Sequence, residues 1–137
     1  MVVADTLRAQ KEDFCGFIDA INPQQSGEGL VGLPIWASIQ QAIGSCDYTG
    51  VEIAIGFGHC VARARLIKAL DEMGVRLRTV IDARASVSPT ATIGRGAYIA
   101  QGAIIEAKCR IGDGAIVNTA SVICHEVVIG QAVDRSQ

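Results

Sequence analysis

The sequence predicts an α/β segment followed by a parallel β-solenoid, on three observations. Strand-like and helix-like stretches alternate before residue 80. Ile or Val then recurs at every sixth residue from Ile81 to Ile129. Small residues sit two places before most of those positions. Composition agrees: half of the 137 residues are hydrophobic, ample for a core, yet only 4% are aromatic, so that core is built from small aliphatic side chains.

Residues 2–11 read as a short helix with Val3, Ala4 and Leu7 on one side. Residues 14–18 form a short apolar run ending at Asp19, a buried strand. Asn22-Pro23, Ser26-Gly27, Gly29, Gly32 and Pro34 make 21–34 a loop. Residues 35–43 read as a helix and 51–55 as a second strand, closed by Gly56-Phe57-Gly58. The clearest helix spans 60–73, with Ala62, Leu66, Ala69, Leu70 and Met73 on one face and Gly74 ending it. Residues 75–81 read as a third strand. Strands alternating with helices imply a parallel sheet with crossovers, half of a Rossmann-like fold. A Gly-rich phosphate-binding turn is not seen, and Gly56-x-Gly58 is the one GxG in a strand-to-helix context.

The ladder itself is Ile81, Val87, Ile93, Ile99, Ile105, Ile111, Val117, Ile123 and Ile129. Strand side chains alternate faces, so each of these anchors and the residue two before it point inward together. Ala85, Ala91, Ala97, Ala103, Cys109, Ala115 and Ser121 fill those second positions and leave the backbone room to turn. Gly94, Gly112 and Gly130 follow anchors, and Gly96, Gly102 and Gly114 come three residues after them, where a corner calls for positive φ. Stacked coils of this kind answer their backbone hydrogen bonds between coils.

This ladder resembles the left-handed parallel β-helix of hexapeptide-repeat acyltransferases, with three six-residue sides per coil. An α/β segment followed by such a helix is similar to the sialic-acid O-acetyltransferase and bacillosamine N-acetyltransferase group. The stretch Asn118-Thr119-Ala120-Ser121-Val122-Ile123-Cys124-His125-Glu126 resembles that group's active-site stretch. The resemblance implies a partial Rossmann-like, nucleotide-sugar-binding domain over 1–80 and a left-handed β-helix over 81–137, about three coils long. It implies acetyl transfer from acetyl-CoA to an amine or hydroxyl of a nucleotide-linked sugar, in a homotrimer with sites between subunits. His125 would be the general base and Glu126 its modulator, with Asn118 positioning substrate. Asp19 and Gly56 would contact the nucleotide sugar.

The register places His125 two residues past an anchor and Glu126 three past it, at an outward corner. His125 is the sole histidine of the ladder, His59 being at the start of the 60–73 helix. Acyl transfer needs a base that works near neutral pH, which suits histidine. With a single histidine in the ladder, a metal site of about three His ligands converging between subunits is not expected. The net charge of −2 offers no footprint for nucleic acid. No apolar run reaches the roughly 20 residues of a membrane span. The odd set of five cysteines, with no CxxC and no secretory leader pattern, points to reduced thiols and a cytoplasmic protein. The ladder stops about one repeat after His125, so a piece shortened at both ends is expected. A non-catalytic scaffold or nucleotide-sugar-binding module is the alternative reading.

Overall fold

The computed structural model describes residues 2–19, 32–45 and 50–135. The chain divides into two compact units, Asp13–Val51 and Met1–Glu12 with Glu52–Gln137.

In the smaller unit, β1 (Phe17–Ile18) pairs in parallel with β2 (Ile35–Trp36), and α2 runs over Ile39–Ser45. The helix expected over 35–43 is thus corrected: its first two residues are strand. Ile35 and Trp36 are both buried, as a β-branched and aromatic pair is in a sheet. The Trp36 ring lies so close to Gly16 that a Cβ there would sit 2.5 Å from it. Ser38 stops the strand, because its Oγ accepts from the Gln41 N–H while Gln41 Oε1 accepts from the Ala37 N–H. This S-x-x-Q capping signal starts α2. Most of the loop expected over 21–34 lies outside the described residues.

In the larger unit, α1 covers Val2–Ala9, and Leu7 is buried as the sequence predicts. β3 (Glu52–Ile53), α3 (Cys60–Glu72) and β4 (Arg76–Leu77) form a parallel β-α-β unit in which Glu52 faces Arg76. The expected third strand divides in two. After Leu77 the chain leaves β3 and enters the solenoid at β5 (Val80–Ile81), which pairs with β8 (Tyr98–Ile99).

From β5 onward every side of the coil carries a two-residue strand: β6 (Ser86–Val87), β7 (Thr92–Ile93), β8, β9 (Ile104–Ile105), β10 (Arg110–Ile111), β11 (Ile116–Val117), β12 (Val122–Ile123), β13 (Val128–Ile129) and β14 (Asp134–Arg135). They stack into three parallel sheets, ordered β14-β11-β8-β5, β12-β9-β6 and β13-β10-β7. Val80 faces Tyr98 and Tyr98 faces Ile116, so one coil is eighteen residues. The core is the ladder: Ile99, Ile105, Ile111, Val117, Ile123 and Ile129 with Ala97, Ala103, Cys109 and Ala115. Each fully buried Ile contributes about 2–3 kcal/mol relative to exposure.

The two glycine positions of each corner serve different needs. Gly96, Gly102 and Gly114 take φ of 65–69°, as the sequence suggests, and Lys108, Ala120, Glu126 and Ala132 hold the same left-handed position without being glycine. Gly94 and Gly112 instead serve close stacking, since a Cβ on Gly112 would meet the Gly130 carbonyl carbon at 2.7 Å.

The face assigned to α3 is also corrected. Arg63, Ile67 and Leu70 are its buried residues, whereas Ala62, Ala69 and Met73 are exposed. Arg63 is only 1% exposed, and its guanidinium makes four hydrogen bonds to backbone carbonyls. Nε donates to Gly114 O at 2.8 Å, Nη1 to Ile55 O and Phe57 O at 3.1 and 2.7 Å, and Nη2 to Gly96 O at 3.1 Å. Burial pulls its pKa below the usual guanidinium value, partly offset by the charge of Asp134. Arg95, paired with both Asp71 and Asp113, ties α3 to the same corner from outside.

Helix α1 is held to the coil by a buried polar relay. The Thr6 hydroxyl lies 3.1 Å from the Tyr98 hydroxyl and donates to Asp82 Oδ2 at 3.4 Å. Two hydrogen bonds from the Arg84 guanidinium lower the Asp82 pKa against the opposing effect of burial. A carboxyl lowered in the folded state stabilises it above the unfolded value, near pH 4, and loses that effect as pH falls through the folded value.

Three outcomes are expected. Replacing Arg63 by Lys, which cannot reach four carbonyls with one fork, lowers unfolding stability in urea by about 2 kcal/mol, and Arg63→Ala by about 3–5 kcal/mol. Ala120→Gly relieves a left-handed alanine on an exposed corner and raises stability by about 0.5–1 kcal/mol, read from the thermal midpoint. Asp82→Asn is less stable than the parent at pH 7, and denaturant melts from pH 5 down to pH 2 show the gap narrowing.

Candidate active site

Corners are where a β-solenoid presents side chains to solvent, because its strands spend alternate residues on the core. One corner column consists of Ser88-Pro89-Thr90, Glu106-Ala107-Lys108 and Cys124-His125-Glu126, stacked one coil apart. His125 and Glu126 are exposed at this corner, as the register predicts. The Glu126 N–H donates to Ala107 O at 2.9 Å, which holds its left-handed backbone, φ 65°. Its carboxylate is 3.4 Å from Lys108 Nζ. The His125 N–H donates to Glu106 Oε2 at 2.8 Å.

A shallow groove of about 560 Å³ opens beside His125, lined among others by Ser86, Ser88, Pro89, Ile104 and Glu106. Apolar side chains face outward on both sides of the corner: Ile104 and Val122 before it, and Val128, 70% exposed, after it. Below the corner, Cys109 is buried with its thiol donating to Cys124 O at 3.0 Å, the role of a small core residue.

Asn118 occupies a different corner. It lies at the opposite end of the β12 side from His125, and its side-chain amide donates to the Asp134 carboxylate. The chain by itself therefore does not bring Asn118 and His125 to one point. A second concavity of about 310 Å³ lies on the Asn118 corner column, with Asp5, Thr6, Asp82, Arg84, Gln101 and Thr119 in its wall. Gly56 is exposed in the loop between β3 and α3, and a side chain at that position would meet open space. His59 caps α3, its Nδ1 accepting from the Ala62 N–H at 3.2 Å, the polar helix-start role. Asp19 ends β1 in the smaller unit, where its N–H donates to Trp36 O. Among the described residues no group of three His, Cys, Asp or Glu side chains is arranged to hold a metal ion, and no helix is long and apolar enough to cross a membrane.

Glu106, Lys108 and Arg63 carry no motif and escape a linear reading. The signal that places Glu106 and Lys108 is the eighteen-residue coil, which sets 106–108 directly beneath 124–126.

No family profile matches the chain. Its fold is similar to that of solved structures. A mutant of perosamine N-acetyltransferase from Caulobacter crescentus, in complex with CoA and GDP-perosamine, aligns with TM-score 0.84 and 28% identity over 97% of this chain and 61% of that one. The acetyltransferase domain of PglB from Neisseria gonorrhoeae FA1090, in complex with acetyl coenzyme A, aligns with TM-score 0.83 and 25% identity over 97% of this chain and 63% of that one. WeeI from Acinetobacter baumannii AYE shares the fold with TM-score 0.82 at 24% identity, over 96% of this chain and 62% of that one. The chain thus spans about 61–63% of the length of these proteins. Its structural neighbours are sugar N-acetyltransferases of the hexapeptide-repeat family, and its stacked parallel sheets are those of a left-handed β-helix.

Proposed function

We propose that this chain forms part of an acetyltransferase that moves an acetyl group from acetyl-CoA to an amine or hydroxyl of a nucleotide-linked sugar, with His125 as general base. One observation carries the reading: the exposed His125 corner and its groove belong to a chain whose fold aligns, at TM-score 0.84, with an N-acetyltransferase in complex with CoA and GDP-perosamine.

In the proposed step, a neutral His125 imidazole takes a proton from the acceptor nitrogen or oxygen. The acceptor lone pair forms a bond to the thioester carbonyl carbon. The carbon–sulfur bond then breaks, and the departing thiolate takes up the proton held by His125. The chemistry needs a base that titrates near neutrality and an acceptor held within about 3 Å of it. Glu126 modulates the base, and Asn118 positions substrate.

A nucleotide-sugar-binding, Rossmann-like role is assigned to the α/β residues of 1–80, with Gly56 a candidate contact in the larger unit and Asp19 a separate candidate in the smaller one. The parallel β3-α3-β4 unit supports this. The assembly is a homotrimer with the site between subunits. Two observations favour that arrangement: the outward Ile104, Val122 and Val128 flank the His125 corner, and Asn118 stands at the far end of β12. The reaction is placed in the cytoplasm, where acetyl-CoA and reduced thiols coexist.

Thiol release from acetyl-CoA, followed in the presence of a panel of nucleotide-linked amino sugars, tests the reading. Turnover is expected with at least one acceptor, and His125→Ala lowers kcat by about 10²–10⁴-fold. Equal turnover by His125→Ala sinks the base assignment. Calorimetric binding of a nucleotide sugar without turnover of any acceptor moves the chain to the binding-module reading.

A further inference from the structure

We infer that Glu106 is a positioning residue for His125, holding the main chain of the catalytic corner from the coil beneath. The inference rests on His125 being the base. Residues flanking each inward anchor donate to the neighbouring coil, as Glu106 N does to Ile123 O at 2.9 Å. The third residue past the anchor donates to a corner carbonyl one coil earlier, as Glu126 N does to Ala107 O. The second residue past the anchor lies between these two. In the His125 column that position is held one coil earlier by Ala107, and one before that by Pro89, which has no N–H to give.

The ladder therefore does not require a donor there, and the His125 N–H is answered by a side chain instead. That acceptor is Glu106 Oε2 at 2.8 Å. A carboxylate also answers the equivalent N–H of another corner, there from the following coil: the Arg95 N–H donates to Asp113 Oδ1 at 2.8 Å. A carboxylate accepting a backbone N–H makes a charge-assisted bond, stronger than a neutral one.

Two further observations single out the corner formed by 106–108. Lys108 Nζ approaches Glu126 Oε1, so both residues of the His125-Glu126 pair are tethered to the corner beneath, one through its main chain and one through its side chain. Glu106 also lines the groove that His125 faces, whereas Glu126 is drawn toward Lys108. Glu126 is itself in the left-handed region, a conformation a non-glycine residue keeps only when its surroundings over-determine it. With the Glu106 bond removed, the Cys124–His125 peptide loses the partner of its N–H, and the imidazole it carries is held less firmly. A misplaced base loses rate with little change in substrate binding.

The test has two readouts. In amide hydrogen exchange by NMR on the whole chain, Glu106→Ala speeds exchange of the His125 N–H at least tenfold. The Ile105 and Ile123 amides keep their protection, so the coil is intact. Glu106→Gln, whose amide oxygen still accepts, restores most of the protection. In acetyl transfer, Glu106→Ala lowers kcat about tenfold at a KM within twofold of the parent, and Glu106→Gln recovers most of kcat. Unchanged His125 exchange in Glu106→Ala overturns the inference. So does full kcat in Glu106→Ala when His125→Ala is inactive. If His125→Ala is itself fully active, the base reading fails, and the exchange measurement still decides whether Glu106 holds the corner.

Discussion

The structure depends on the eighteen-residue coil. Once Val80, Tyr98 and Ile116 stand in register, every anchor falls above an anchor and every corner above a corner. The core is then a column of Ile and Val interleaved with Ala and Cys109. The corners inherit their chemistry from the same register. Their third residue past the anchor is left-handed from Gly96 through Ala132, whatever its identity. A glutamate is held there at Glu126, beside the histidine, at a conformational cost of order 1 kcal/mol that the coil-to-coil bonds offset.

Arg63 joins the α-helical part of the larger unit to that coil. A guanidinium is usually solvated, and burying one without partners costs several kcal/mol. Here the positively charged fork meets carbonyls from two coil corners, Gly96 and Gly114, and from the β3-α3 loop, Ile55 and Phe57. The glycines matter twice. Their left-handed backbone turns the chain at the corner, and at Gly114 a Cβ would strike Ile67 of α3 at 2.1 Å. Close approach of α3, burial of Arg63 and the turn of the coil are therefore one arrangement. At the other end of the β5-β8 side, the Thr6-Tyr98-Asp82-Arg84 relay does for α1 what Arg63 does for α3, with the charge supplied by a carboxylate.

Much of the site's surroundings was hidden from a linear reading for a common reason. The buried stripe of α3 includes Arg63, a residue type that apolar periodicity passes over, because four backbone acceptors outweigh its preference for water. Residues 35–36 looked helical by continuity with 39–43, although the Ser38-x-x-Gln41 cap marks the true start. The partners of His125 and Glu126, Glu106 and Lys108, are eighteen or nineteen residues away in sequence. Nothing local signals them.

The sequence alone determined the solenoid, its inward residues and the outward corner of His125 and Glu126. It could do so because a strand's two-residue alternation and a six-residue side are local rules, repeated until chance is excluded. Tertiary structure decided what each corner touches: Asn118 against Asp134 at one end of the β12 side, His125 held by Glu106 at the other. Those contacts are set by coil closure and stacking, which bring together residues that no local preference relates.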